Sequence, residues 1–240
     1  MATIIADDSR PVALVTGGSR GFGLALVEAL AARGWRVITD ARDGDRLSAA
    51  LGHLTGTGRV TAIAGDIADA AHRRSLAAAV EGAGRLDLLV NNASVLGPSP
   101  LQRLDAYDAA ALETVLLVNT IAPLALSQAL LPHLHAPQGC IVNVTSDAAV
   151  EAYPGWGGYG ASKAALDQLS AVLAAENPEL RVYAFDPGDM RTEMHQAAFP
   201  GEDISDRPEP VTVVPALLRL LDEWRPSGRY RCADVAEVVA

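Results

Sequence analysis

Short apolar runs alternate with longer stretches of helical periodicity along nearly the whole chain, and this alternation excludes most folds. The runs are 11–16 (PVALVT), 35–39 (WRVIT), 59–64 (RVTAIA), 86–91 (LDLLVN), 140–145 (CIVNVT) and 181–185 (RVYAF), with a short last candidate at 229–232 (RYRC). Between them, 22–33, 69–81, 109–131, 159–175 and 211–223 repeat apolar residues at helical spacing. Strands joined through helices pair in parallel, and a parallel sheet needs cover on both faces. The expected fold class is α/β: one domain over residues 1–240, a doubly wound parallel sheet of about seven strands with helices on both faces. No repeat or composition break divides the chain. The one long irregular stretch, 186–210, is rich in Pro, Gly, Asp and Glu, and within it 189–210 is expected to act as a substrate loop.

The strand candidates end in polar residues: Thr16-Gly17, Asp66, Asn91-Asn92, Thr145-Ser146 and Asp186-Pro187-Gly188. These are the C-terminal ends of parallel strands, where open α/β sheets bind ligands. The first ending continues as TGGSRGFG, residues 16–23, and admits two readings. Gly17-Gly18-Ser19-Arg20-Gly21 satisfies G-x-S-x-G, the turn that exposes a hydrolase's nucleophilic serine. That reading needs an earlier loop for the oxyanion hole and a histidine after a late strand, and the sequence offers neither. The second reading is a dinucleotide cradle. Gly17 permits the tight turn, Gly21 and Gly23 admit close backbone approach, and the following helix offers unpaired N–H groups to a pyrophosphate.

A second constellation lies in VNVTSDAAVEAYPGWGGYGASKAAL. Tyr159 and Lys163 are four residues apart and share a helix face. Lys163 is the only lysine; the other 18 of the 19 cationic side chains are arginine. An ammonium is a compact point charge, unlike the planar guanidinium. A tyrosine ordinarily titrates near ~10, and a neighbouring ammonium, with a cationic nicotinamide in the oxidised state, is expected to lower that value and make the phenol a proton shuttle for carbonyl reduction or alcohol oxidation. Ser146 at a strand end can hydrogen-bond the same oxygen. Asn119, polar within the apolar VLLVNTIAPLAL, reads either as a satisfied amide or as a water-holding link in a proton path.

In their order and spacing, TGGSRGFG at 16–23, Asp66 in AGDIAD, NNAS at 91–94, Asn119, Ser146, YGASK at 159–163 and PGDMRT at 187–192 resemble the short-chain dehydrogenase/reductase family over nearly the whole chain. The resemblance implies a Rossmann fold and a catalytic tetrad of Asn119, Ser146, Tyr159 and Lys163. It implies cofactor contacts from the glycine turn (Gly17, Ser19, Arg20, Gly21, Phe22 and Gly23). Asp66 and Ile67 would contact adenine, Asn91 and Ala93 would lie along the cofactor, and Lys163 would also hold the nicotinamide ribose. Pro187, Gly188, Met190 and Thr192 would embrace the carboxamide end. Two positions depart from the usual pattern: Ser94 replaces glycine in NNAG, and Phe22 stands where isoleucine is commoner.

The second strand runs WRVITDARD. Aligned by its end with the family pattern, Ala41 falls where an NAD-selecting acid would sit, and Arg42 follows. Arg42 with Arg20 suits a 2′-phosphate, so NADP is the expected cofactor, with NAD the alternative. A strand ending one residue later would make Asp40 the selecting acid. The expected function is NADP(H)-dependent hydride transfer to or from a carbonyl or secondary alcohol; a non-catalytic dinucleotide sensor or scaffold on the same fold is the alternative. The net charge of −10 argues against a nucleic-acid partner. The opening MATIIADDSRP lacks the pattern of a secretory leader, apolar stretches are interrupted by polar residues, and Cys140 and Cys232 match no metal or redox spacing. A cytoplasmic protein with no metal and no membrane span is expected. The Ala- and Leu-rich helices 109–131 and 159–175 match the family's pairing helices and imply a homodimer or homotetramer.

Overall fold

The computed structural model describes residues 10–235, so both ends of the expected domain, 1–9 and 236–240, lie outside the described residues. Seven parallel strands form one sheet: β1 (Val12–Val15), β2 (Arg36–Ala41), β3 (Val60–Ala64), β4 (Leu88–Asn91), β5 (Cys140–Val144), β6 (Arg181–Asp186) and β7 (Gly228–Arg231). Their order is β3-β2-β1-β4-β5-β6-β7, with Val15 of β1 opposite Thr39 on one side and Val90 on the other. The order in which strands are added reverses between β1 and β4, and that crevice is where a doubly wound sheet binds ligands.

Side chains of successive strand residues point to opposite faces, which explains the two cores. Ala13 and Val15 pack with Leu26, Leu30 and Leu217 beneath α1 (Gly21–Ala32), α2 (Gly44–Thr55) and α8 (Pro210–Glu223). Val12 and Leu14 pack with Leu76, Leu126 and Leu173 beneath α3 (Ala70–Ala83), α5 (Ala122–His135) and α6 (Gly157–Glu176). Helix α4 (Ala109–Leu116) runs into α5 through one π-helical turn, Leu117–Ile121. Together Ala109–His135 has a mean hydropathy of 1.7, long and apolar enough by composition to cross a membrane. Here it packs as a core helix, with Leu126, Leu130 and Leu134 buried.

Three local features differ from the sequence expectation. Strand β2 runs two residues further than expected, to Ala41. Helix α2 occupies 44–55, where no helix was expected. Within the 189–210 stretch a short helix α7 (Glu193–Ala198) forms, because the Thr192 side chain caps it by accepting from the His195 N–H. The chain closes with α9 (Cys232–Val235) among the described residues.

Candidate active site

A cavity of about 680 Å³ runs along the C-terminal edge of the sheet, within the range of small-molecule sites, roughly 300–1,000 Å³. The turn after β1 forms one wall. Gly17 has φ +75°, and a Cβ there would press on Ala93 Cα at 3.0 Å. A Cβ on Gly23 would collide with the Gly17 carbonyl. Thr16 Oγ1 accepts from the Asn92 and Ala93 N–H groups, both at 3.0 Å, and ties this turn to the loop after β4. Helix α1 begins at Arg20 without a side-chain cap, so its first N–H groups open on the cavity. Glycines packed too tightly for a side chain, with an uncapped helix N-terminus beside them, fit a dinucleotide's pyrophosphate.

Sixteen of the seventeen residues expected at the cofactor border the cavity, Tyr159 and Lys163 among them; Asn91 is the exception. Ser19, Arg20, Gly21, Phe22, Arg42, Asp66, Ile67 and Ala93 all border the cavity on the side where phosphate and adenosine are expected from the sequence, its adenosine end. Pro187, Gly188, Met190 and Thr192 border it at the other. Phe22 does so with its backbone in a buried setting, its ring 6.1 Å from that of Phe185. Asn91 does not reach the cavity: its amide is buried and donates to Asn143 Oδ1 at 2.7 Å and Ser127 Oγ at 3.2 Å. Strand alternation turns Asn91 away, and its neighbour Asn92 lines the wall instead.

At the chemical end, Tyr159 and Lys163 lie buried on one face of α6. Lys163 is 2% exposed, donates from Nζ to the Val144 carbonyl at 2.8 Å, and stands 5.5 Å from the Tyr159 ring centroid. Burial lowers the Lys163 ammonium to about 8, with Asp167 pulling the other way. Burial pushes the Tyr159 phenol well above its usual range; hydrogen bonding to Ser94 offsets part of this, the carboxylates of Asp186 and Asp147 add to it, and Ser146 lowers it. The sequence led us to expect a lowered phenol. In this geometry desolvation is the largest influence on the phenol, and the Lys163 ammonium donates to the Val144 carbonyl. Ser146 lines the cavity beside Tyr159 and donates from Oγ to Asp147 Oδ1 at 2.9 Å.

Asn119 sits in the π-helical turn and is fully buried, behind the cavity wall rather than on it. Its amide donates to the Val95 carbonyl at 2.9 Å and to Ser162 Oγ at 3.0 Å, and its oxygen accepts from the Val95 N–H at 2.9 Å and Ser94 Oγ at 3.1 Å. Its side chain therefore fastens the loop after β4 to α6. Ser94, the departure from the family pattern, stands between Asn119 and Tyr159.

At the adenosine end, Asp40 is 1% exposed and both its oxygens are engaged: Oδ1 accepts from the Gly17 N–H at 2.8 Å, and Oδ2 lies 2.9 Å from His72 Nε2. Arg42 is exposed and forms no ion pair among the described residues. Arg20 and Arg46 both pair with Glu193 of α7, across the cavity. Arg46 and Glu193 are cavity residues that the sequence reading missed. Asp43 capping α2 ahead of Leu47 and Leu51 was the available signal for Arg46; Glu193 had none beyond the loop it sits in. At the opposite mouth, Trp156 packs edge-on to Tyr159 at 5.7 Å, with Met194 beside the cavity and Phe199 behind it.

A family model described as short chain dehydrogenase matches residues 11–203. The chain belongs to the short-chain dehydrogenase family. It is an oxidoreductase of the class that binds NAD or NADP and acts on small molecules. Among its relatives, sepiapterin reductase of Meriones unguiculatus is 37% identical over 202 residues, covering 78% of this chain and 77% of that protein. A short-chain dehydrogenase from Shigella flexneri 2a, solved in complex with NADP, superimposes with a TM-score of 0.86 at 29% identity, covering 93% of this chain and 97% of that one. An alcohol dehydrogenase from the archaeon Thermococcus sibiricus, complexed with 5-hydroxy-NADP, gives 0.83 at 25% identity, covering 96% and 99%. The seven-stranded doubly wound sheet expected from the sequence is the fold of these dehydrogenases.

Proposed function

We propose that this short-chain dehydrogenase uses NADP(H) to interconvert a carbonyl and a secondary alcohol, with Tyr159 as general acid and base. The carrying observation is the buried Tyr159–Lys163 pair facing the same cavity as Ser146, with a glycine-lined phosphate cradle at the cavity's far end. A nicotinamide held beside Tyr159 would supply or accept the hydride. Tyr159 gives its Oη proton to the carbonyl oxygen as that oxygen gains charge, and takes it back in the reverse direction. The Ser146 hydroxyl donates to the same oxygen, a contact that strengthens as charge develops. Lys163 steadies the phenolate left behind and holds the nicotinamide ribose. Asn119 acts as a positioning residue, setting the loop that carries Ser94 against α6. Aromatic and apolar groups at the mouth, Trp156 and Met194, favour a substrate with an apolar flank.

Three observations support NADP over NAD. Asp40 has no carboxylate oxygen left for ribose hydroxyls, although β2 extends past it. Arg20, Arg42 and Arg46 gather three guanidiniums at that end of the cavity. Two of the structural neighbours were solved with NADP or a derivative of it. In the same reading, 189–210 is a lid that excludes water over the nicotinamide, and exposed Ile121 and Val172 belong to a dimer or tetramer interface. Ketones and alcohols assayed with NADPH, NADH, NADP and NAD test the reading. Turnover with a carbonyl and NADPH is expected; cofactor binding without turnover on any carbonyl or alcohol would favour the sensor.

A further inference from the structure

The last strand sends one side chain under the chemical end of the cavity. Arg229 of β7 donates from Nη2 to the Ser146 carbonyl at 2.9 Å and to Asp186 Oδ2 at 2.9 Å, and from Nε to Asp167 Oδ2 at 3.0 Å. Asp186 in turn accepts through Oδ1 from the Gly188 N–H at 3.0 Å, closing the Pro187–Gly188 turn. One guanidinium therefore joins the end of β5, the end of β6 and the middle of α6. Those are the elements that carry Ser146, the loop over the nicotinamide position, and the Tyr159–Lys163 pair.

The arrangement is also a charge balance. The Asp186 side chain is 5% exposed and that of Asp167 is 16% exposed. Asp167 lies one helical turn beyond Lys163 on α6. Burial raises the Asp167 carboxyl; contacts with Thr145 and Arg229 and the charge of Lys163 oppose this. Lys163 has Tyr159 and Asp167 on its own helix; Asp186 from β6 and Asp147 after β5 act on Tyr159, and Arg229 from β7 acts on Asp167. The two carboxylates share a single guanidinium, and Asp167 also acts on the Lys163 ammonium. Removing that cation would leave both carboxylates half-paired in a poorly solvated place, where uncompensated charge is costly.

We propose that Arg229 is a positioning residue of the hydride-transfer site, locking the Ser146 and Gly188 turns to α6 and supplying the counter-charge that sets the proton affinity of Lys163. The assignment rests on the oxidoreductase reading for its meaning. Its test does not, because it needs neither cofactor nor substrate. The chain has one lysine, so protein labelled in its lysine side chain with ¹³C and ¹⁵N gives one side-chain signal, that of Lys163. Titrating this signal in the wild type, Arg229→Gln and Asp167→Asn reads the network directly. Arg229→Gln is expected to raise the proton affinity of Lys163 by about threefold or more, roughly half a pH unit, and Asp167→Asn to lower it. If Arg229→Gln does not fold, Asp167→Asn/Arg229→Gln is compared with Asp167→Asn; the added substitution should raise the midpoint. An unmoved Lys163 midpoint on loss of Arg229, in a protein with native circular dichroism, would overturn the proposal.

Discussion

The two ends of the cavity are built from opposite materials. At the adenosine end the charged groups are half in water: the Arg20, Arg46 and Glu193 side chains are 48%, 40% and 54% exposed. At the chemical end Lys163 is 2% exposed and Asp186 is held by Arg229 behind it. Exposed ion pairs are screened and contribute little to stability, so a phosphate bound at this end would displace Glu193 at little cost. Buried charges act strongly on each other and cannot be exchanged freely. The difference separates selection of the cofactor from the chemistry. Changes at the first end should alter affinity alone, and changes at the second should alter turnover, pH dependence and stability together.

The largest effect should come from Lys163→Arg. A guanidinium does not fit the compact donor site at Val144, so turnover should fall roughly 10²-fold or more, with a lower melting temperature. Near-wild-type kcat in that variant would erase the contrast between the two ends. Next comes the pH profile. Burial lowers Lys163 from 10.5 to about 8, so the ammonium is present below that value and lost above it. Carbonyl reduction at saturating NADPH should decline as pH rises through about 8; a flat profile to pH 10 would separate Lys163 from the rate. Arg42→Ala should weaken NADPH about tenfold, the equivalent of ~1.4 kcal/mol, while leaving NADH binding and melting temperature unchanged. The smallest effect belongs to Glu193→Gln. Freed from the carboxylate, Arg20 and Arg46 should bind NADPH about two- to threefold more tightly in low salt, with NADH unaffected. Titration calorimetry measures both affinities, and equal changes for the two cofactors would show that Glu193 does not compete for the phosphate.

The sheet, its helices and the Tyr159–Lys163 pair were legible because strand alternation, helical spacing and a four-residue step on a helix are local patterns. What remained hidden depended on distant partners. WRVITDARD does not reveal that Asp40 turns inward to Gly17 and His72, since His72 comes from α3, 32 residues on. Helix α2 carries two glycines and polar flanks that mask Leu47 and Leu51, and Arg46 was lost with it. Asn91 and Asn92 look alike in sequence; only the pleat of β4 decides which faces the cavity. Arg229 stood in a short strand candidate with no sign that its partners lay 43 to 83 residues away. The phenol's proton affinity was misjudged because a pair spacing shows the ammonium but not the burial.

We propose that the buried end does the chemistry and the exposed end does the selecting. Tyr159→Phe tests it most directly, since it removes one hydroxyl and no charge. NADPH affinity and NADPH-dependent carbonyl reduction are measured on the same preparation. Affinity is expected within about twofold of wild type, with turnover reduced roughly 10²-fold or more. Turnover close to wild type, with the same affinity, would contradict it.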